Sequence, residues 1–218
     1  MKKDNIYDTL KSDILNLKYL PDSKIKEIEI SEKFNISRTP VRESFKKLEQ
    51  DGLILIKPKI ATRVSKINLK RLFDRLYIRA SIESRVFSEV RNTIDELNSF
   101  KLKLEIQKQE KLLKANDVIA FLEADDNFHR LIYSFISKES IWDFLQQNNY
   151  DYYRFRMFLL KFNKLHHEFT LDEHKNLVDL LLDVKKGDLI KSVENHVYKG
   201  VKSSNELISK YENMFISN

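Results

Sequence analysis

Three histidines and one aspartate in the second half of the chain are candidate metal ligands. Asp125 and His129 are four residues apart in FLEADDNFHRLIY, a segment with helical spacing, so their side chains share one face and can hold one ion. His174 and His196 fall on the last two predicted helices, on either side of a turn near residue 187. Taken singly, each histidine is more often a structural or surface residue, so the spacing alone leaves both interpretations open.

Two arginines near the N-terminus have the spacing of a DNA-reading pair. Arg38 and Arg42 lie in SRTPVRESFKKLEQDGL, where Val41, Phe45 and Leu48 form the apolar stripe of a helix. Both guanidinium groups therefore emerge on one face while the stripe points into a core. Each guanidinium can donate two hydrogen bonds to O6 and N7 of guanine, which is what a major-groove reader needs.

Neighbouring polar residues suit the phosphate backbone of the same nucleic acid. Ser37 and Thr39 stand at the N-terminus of the predicted helix, where hydroxyls and free backbone N–H groups attract phosphate, and Ser37 can cap the helix. Lys46 adds non-specific attraction. In the hairpin that follows, Lys59 and Arg63 could reach an adjacent minor groove.

Apolar spacing predicts the elements that carry these residues. Two helices at 4–18 and 27–34 precede the arginine-bearing helix, and the runs LILIK and ATRVSKI around Pro58 predict a β-hairpin. From residue 69 the pattern is helical almost throughout, with helices predicted at 69–91, 94–114, 117–137, 140–162, 172–185 and 189–214. The predicted fold is therefore mainly α: a winged helix-turn-helix in residues 1–66, then an all-α antiparallel helical bundle in residues 67–218.

Composition supports this division and limits the chemistry. Only three glycines and three prolines favour long helices over strand-rich folds, and zero cysteines exclude disulfides and thiolate ligands. No run approaches the roughly 18 apolar residues of a membrane span, and the opening segment predicts an amphipathic helix, so we expect a cytoplasmic protein with no membrane partner.

Residues 1–66 hold 15 Lys and Arg against 10 Asp and Glu, a net charge of +5, whereas the rest carries +1. Nucleic acid is the expected partner of this asymmetry.

The run SRTPVRESFKKLEQDGLI resembles the signature of GntR-type bacterial regulators, and the resemblance covers roughly residues 6–66. It implies base contacts by Arg38 and Arg42, with Ser37 and Thr39 nearby. The chain departs from the family at Leu17, Asp22 and Ala61, where members usually have glycines. Ala61 is at the wing tip, where a glycine lets the backbone approach DNA closely.

The segments DDNFHR and DEHKNLVDLLLDVKKGDLIKSVENHV resemble the FCD class of GntR effector domains, all-helical bundles in which an aspartate and three histidines bind a divalent metal. The matching residues are Asp125, His129, His174 and His196. The resemblance extends to RASIESR, in which we expect Arg79 to clamp a small carboxylate effector and Glu83 to orient it or accept a hydrogen bond. A plain ion pair on a solvated helix face is the alternative for this pair. Zinc is the first choice of metal, with nickel, manganese and iron also compatible.

These features together predict a transcriptional regulator that is not an enzyme. The expected form is a homodimer, because two heads on a two-fold axis bind a palindromic operator in double-stranded DNA. Repression modulated by the effector is the default expectation for this family. A metal-dependent hydrolase or lyase acting on a small organic acid is the alternative function, and a scaffold dimer without metal is a third class.

Overall fold

The computed structural model describes residues 4–57, 60–147, 149–163, 166–183 and 187–217, apart from the side chains of residues 4, 5, 166 and 167. Helices dominate it: α1 (Asp4–Leu15), α2 (Glu27–Phe34), α3 (Arg38–Gln50), α4 (Leu69–Arg91), α5 (Glu96–Lys114), α6 (Val118–Ser134), α7 (Glu139–Gln146), α8 (Tyr150–Phe162), α9 (His166–Leu181), α10 (Leu189–Lys202) and α11 (Asn205–Lys210). The strands are β1 (Ile54–Lys57), β2 (Ala61–Val64), β3 (Ile67–Asn68) and β4 (Phe215–Ile216). The predicted mainly helical fold with an N-terminal winged helix-turn-helix is confirmed.

Two predicted helices are each divided in the structure. The helix expected at 140–162 stops at Gln146, because Gln147 is extended at ψ 130°, and α8 restarts after Asn149. The helix expected at 189–214 ends at Lys202, where Ser203 and Ser204 turn their hydroxyls back onto the carbonyls of Lys199 and Gly200. Hydroxyl and amide side chains compete in this way with the backbone bonds that would continue a helix.

The residues of the chain form two compact units. The first contains Met1–Phe73, Asn148–Phe158 and Glu206–Asn218, and the second contains Asp74–Gln147 and Leu159–Asn205. The first unit therefore includes the first part of α8 and the C-terminal residues in addition to the winged helix-turn-helix.

The core of the first unit is built by the apolar faces of α1, α2, α3 and β1. Its fully buried members include Leu10, Ile14, Val41, Phe45 and Leu48, each 0% exposed. β1 and β2 pair antiparallel, with Ile54 opposite Val64 and Lys57 opposite Ala61, which confirms the predicted hairpin.

Two of the three positions at which glycine was expected from the family pattern have left-handed backbone. Leu17 has φ 54° and Asp22 has φ 65°, a region that costs a residue with a Cβ about 1–2 kcal/mol. Leu17 is 0% exposed, so burial of its side chain offsets this cost. Ala61 is not among the described residues with positive φ.

A buried arginine on α8 holds together the segment that links the hairpin to α4. Arg154 is 1% exposed, and its guanidinium donates to the carbonyls of Ser65 at 2.6 Å and Lys66 at 3.4 Å and to Oδ1 of Asp151 at 2.7 Å. Asp151 in turn accepts from the backbone N–H of Asn68 at 3.2 Å. β3 pairs in parallel with β4, with Ile67 opposite Phe215, and this pairing completes the segment. None of these contacts was predicted from the sequence.

We expect Arg154→Ala to be among the most destabilising single changes in the first unit. It would leave two backbone carbonyls without their charged donor and Asp151 with Arg71 as its remaining cationic partner, and breaking a buried pair of this kind costs about 3–5 kcal/mol. The measurement is the urea midpoint of the full chain. Arg85→Ala is the matched control, because the side chain of Arg85 is 79% exposed and its loss should change stability by less than about 0.5 kcal/mol. Equal midpoints for the two variants would contradict the structural role of Arg154.

The second unit is a helical bundle in which α5, α6, α9 and α10 are packed around a common core. Leu102 on α5, Phe128 and Ile132 on α6, Leu177 on α9 and Val193 on α10 are all buried there. Asp95, Asp117 and Asp188 accept a backbone N–H at the starts of α5, α6 and α10, which fixes where these helices begin. No helix in the described ranges is long and apolar enough to cross a membrane.

Candidate metal centre and nucleic-acid interface

Three histidines from three different helices meet inside the second unit. His129 on α6, His174 on α9 and His196 on α10 offer nitrogen atoms that all lie within 4.8 Å of one another. Nε2 of His129 and Nε2 of His196 are 3.2 Å apart. His129 and His174 are 0% exposed, and His196 is nearly buried, with 8% of its side chain exposed.

The other ring nitrogen of each histidine faces a hydrogen-bond acceptor. Nδ1 of His129 lies 3.3 Å from Oε2 of Glu83, and Nδ1 of His196 lies 3.0 Å from Oε2 of Glu173. Nδ1 of His174 lies 2.8 Å from Oε1 of Gln109. The hydrogen bonds at Nδ1 of His174 and His196 assign the proton of each ring to that nitrogen and leave the lone pair on Nε2. The approach of His129 to Glu83 does not reach hydrogen-bond geometry.

The electrostatics of the cluster keep two of these rings neutral. Burial lowers the pKa of His174 well below its ordinary value, and the neighbouring His196 lowers it further. Burial also lowers the pKa of His129, although the negative charge of Glu83 partly opposes this. For Glu83 burial opposes ionisation, but the charge of Arg79 and the contact with His129 outweigh it and hold the pKa of the carboxyl well below its usual range.

This donor set fits a divalent metal ion. Nε2 of His129 and Nε2 of His196 face each other across 3.2 Å, an approach that needs a proton or a cation between the two nitrogen atoms. Nitrogen ligands about 2.0–2.1 Å from a tetrahedral zinc ion are about 3.3 Å apart, close to that separation. Nε2 of His174 is buried and has no hydrogen-bond partner among the described residues, so this nitrogen is available to act as a metal ligand.

The predicted fourth ligand lies beside the histidines. Asp125 is 6% exposed, and its Oδ1 is 3.6 Å from Nε2 of His174. The group of mutually close ligand atoms contains the three histidines and not this carboxylate. The structure therefore brings Asp125 to the edge of the cluster.

The pair Arg79 and Glu83 is not on a solvated face. Their side chains are 5% and 0% exposed, and Nε of Arg79 donates to Oε1 of Glu83 at 2.6 Å. The guanidinium also lies 5.5 Å from the centre of the Trp142 ring, which in turn stacks 5.5 Å from the ring of His129. Glu83 thus contacts Arg79 with one oxygen and faces His129 with the other, so the predicted effector pair adjoins the predicted metal ligands.

Two residues of this cluster, Gln109 and Glu173, were not predicted from the sequence. Gln109 continues the apolar stripe of Leu102 and Ile106 on α5, and a polar residue at such a position was an available signal. Glu173 directly precedes His174 in the chain, yet it contacts His196 of the next helix and also Nζ of Lys199, at 2.6 Å. Only the packing of the helices reveals these pairings.

In the first unit, α3 has one buried face and one polar face. Ser37 occupies the position before the first turn, but its side chain makes no capping hydrogen bond, unlike the predicted cap. The predicted DNA-contacting residues of this helix and its cap are all exposed: Ser37, Arg38, Thr39, Arg42 and Lys46.

Two of the residues predicted to contact DNA, Arg42 and Arg63, already make contacts within the protein. Arg42 lies 3.3 Å from Oε2 of Glu27 with 64% of its side chain exposed, a weak surface contact that DNA can displace. Arg63 donates to the backbone carbonyl of Asp22 and lies 3.5 Å from its carboxylate, so it braces the hairpin against the α1–α2 connection. Lys59, the other predicted wing contact, lies outside the described residues.

Two family profiles match the chain. The profile described as "Bacterial regulatory proteins, gntR family" matches residues 2–64, and the profile of the FCD domain matches residues 74–197. Each covers the part of the chain in which its signature residues were found, and the FCD match alone includes more than half of the sequence.

Curated relatives and solved structures agree with these matches. The "HTH-type transcriptional repressor RspR" of Escherichia coli (strain K12) is 33% identical over 141 residues, which cover 65% of this chain and 62% of the relative, so the match spans under two thirds of that protein. A crystal structure of a putative GntR transcriptional regulator from Rhodococcus sp. RHA1 is similar with a TM-score of 0.66 at 16% identity, over 95% of this chain and 97% of that one. E. coli McbR/YncC is similar with a TM-score of 0.63 at 14% identity, over 96% and 98% of the two chains. At these identities the two structures support the fold alone.

Proposed function

Because the chain belongs to the GntR family of bacterial regulatory proteins and carries an FCD domain, we propose that this transcriptional regulator binds an operator in double-stranded DNA through α3. We also propose that its second unit binds a divalent metal and a small carboxylate. We assign DNA binding to residues 1–66 and binding of the metal and the effector to residues 67–218, as the predicted domain boundary implies. Repression is the proposed direction of control, which is also the activity named for the relative RspR.

The observation that carries the DNA-binding proposal is the two-faced character of α3. Val41, Phe45 and Leu48 are each 0% exposed, so they fix the helix in the unit, and Arg38 and Arg42 emerge from its opposite side. The hydroxyl of Ser37 is not used in a cap, which leaves it available to phosphate. A homodimer would place two such helices on a palindromic site, each reading one half.

The metal and effector part of the proposal uses the residues of the histidine cluster. His129, His174 and His196 would hold the ion through Nε2, with Asp125 as the carboxylate ligand. When bound, the metal supplies open coordination positions for an anionic group. Arg79 would donate to a carboxylate of the effector, held in place by Glu83 at 2.6 Å and by the face of Trp142. The effector can change the affinity for DNA only by as much as its own affinity differs between two arrangements of the DNA-binding units.

The hydrolase or lyase alternative is not retained. Both family profiles and the named relatives are those of transcriptional regulators. A sensor is expected to bind its carboxylate without converting it.

The test is a titration of the zinc-loaded full chain with a panel of small carboxylates, in which binding is monitored by the fluorescence of the single tryptophan. Trp142 contacts both Arg79 and His129, so a ligand that displaces the Arg79 guanidinium should change its emission. Carboxylates that change the fluorescence are then added to an electrophoretic mobility shift assay with DNA from upstream of the chain's own gene. We expect saturable fluorescence changes and an altered DNA affinity for the same compounds.

Arg79→Lys is the informative variant for this test. Lysine keeps the charge but loses the planar fork that donates two parallel bonds, so carboxylate affinity should fall by roughly tenfold or more. Unchanged affinity in this variant, or DNA binding that no carboxylate alters, would contradict the effector part of the proposal.

A further inference from the structure

Gln109 is a polar side chain at a position where packing favours an apolar one. It lies on α5 with Leu102 and Ile106 on the same buried stripe, and it is 0% exposed. A buried amide is costly unless its polar atoms are bonded. Both ends of this amide are bonded: Nε2 donates to the carbonyl of Ala124 at 3.2 Å, and Oε1 lies 2.8 Å from Nδ1 of His174.

These two bonds determine which way the amide points. A backbone carbonyl only accepts, so the atom of Gln109 that faces Ala124 must be the NH₂ group. The oxygen is therefore turned towards His174, where it can only accept, and Nδ1 of His174 must carry the proton. The ring itself is fixed by stacking on Phe128, with ring centres 4.2 Å apart. Nε2 of His174 is left with its lone pair, 3.6 Å from Oδ1 of Asp125.

We propose that Gln109 is a positioning residue of the metal centre, which commits His174 to the tautomer that binds metal through Nε2. This inference rests on the metal site proposed above. It also separates His174 from the other two histidines, whose Nδ1 atoms face the carboxylates Glu83 and Glu173. A neutral amide fixes the tautomer of the buried His174 without adding another negative charge behind the ligands.

Three variants of α5 test this role. Gln109→Leu keeps a similar volume but removes the acceptor. Gln109→Glu, whose buried carboxyl is expected to be protonated, restores the acceptor and keeps a donor for the carbonyl of Ala124. Gln107→Leu is the matched control, because Gln107 is exposed on the same helix. Zinc affinity of the full chain is measured by competition with a chromophoric chelator. We expect Gln109→Leu to bind zinc about 10- to 100-fold more weakly, the usual effect of losing such a partner. Gln109→Glu should recover most of that loss, and Gln107→Leu should match the wild type.

The second readout is the tautomer itself, which a purely structural role would not change. Long-range ¹H–¹⁵N spectra of the metal-free chain distinguish a histidine protonated on Nδ1 from one protonated on Nε2. We expect His174 to carry its proton on Nδ1 in the wild type and in Gln109→Glu. In Gln109→Leu, where Nδ1 loses its acceptor, the proton should be found partly or wholly on Nε2.

The outcomes separate this inference from the metal site on which it rests. If the wild type binds no zinc, the metal site is refuted, and the spectra still show whether Gln109 sets the tautomer. If the wild type binds zinc and Gln109→Leu binds it equally well, the metal site stands and the role of Gln109 is overturned. A wild-type His174 protonated on Nε2 overturns it as well.

Discussion

Replacing Arg38 and Arg42 together with alanine is expected to abolish sequence-specific DNA binding without unfolding the chain. Both side chains are exposed, so their loss removes no packing from the core of the first unit. A guanidinium that donates two bonds to a guanine contributes about 1–3 kcal/mol of discrimination. In the proposed homodimer, the two arginines of each of the two copies then contribute at least about 4 kcal/mol, on the order of a 10³-fold loss of specific affinity.

The measurement is the affinity of each variant for a palindromic site selected by the wild type from random double-stranded DNA, compared with its affinity for unrelated DNA. Arg85→Ala is the control for loss of one exposed positive charge and should bind the selected site as the wild type does. Arg42→Lys tests the mechanism, because it keeps the charge for phosphate but lacks the planar fork. It should lose specificity and retain non-specific binding with its usual salt dependence.

Two outcomes would refute the assignment of α3 as the reading helix. One is specific binding that survives the loss of both arginines. The other is an equal loss in Arg85→Ala, which would mean that total charge matters and position does not.

The face of α3 could be predicted from the sequence because it depends on local periodicity. Helical spacing alone places Val41 and Phe45 on one side and Arg38 and Arg42 on the other. The structure reproduces this division, with the apolar pair fully buried and the arginines exposed. The same reasoning placed Asp125 and His129 on one face of a helix, and both are buried in the second unit.

What the sequence did not predict depends on contacts between distant segments. Ile67 and Phe215 pair in strands only two residues long, too short for any pattern to indicate, and they are separated by most of the chain. Arg154 is buried among backbone carbonyls of the first unit, a role that no pattern in the surrounding sequence indicates. No local rule states that an arginine on one helix will satisfy the carbonyls of a distant loop.

The histidine cluster shows both situations at once. The three histidines follow from the family resemblance, whereas their hydrogen-bond partners follow from how the helices pack. Glu173 is next to His174 in the chain but contacts His196, and Gln109 contacts His174 from 65 positions away. The ligand types were therefore accessible from the sequence, and the groups that orient them were not.

Zinc is expected to raise the thermal midpoint of the full chain, and this increase should be lost in His174→Ala. An ion that binds only the folded state stabilises it by about 2.7 kcal/mol at 100 times its dissociation constant, equivalent to roughly 5–10 °C for a domain of this size. The zinc-induced shift is compared within each variant, because His174→Ala also leaves a cavity that lowers the midpoint without metal. A chelator should reverse the shift in the wild type.

The adjacent carboxylates Asp125 and Asp126 supply a matched pair for the same measurement. They differ by about 100° in direction around α6, and Oδ1 of Asp125 is the one that lies 3.6 Å from Nε2 of His174. Asp125→Asn should therefore reduce the zinc-induced shift, and Asp126→Asn should keep it, although both remove one negative charge from the same helix. If the two variants respond alike, the effect of Asp125 is general electrostatics and not ligation. If His174→Ala keeps the full shift, zinc binds elsewhere and the histidine cluster is a buried polar core.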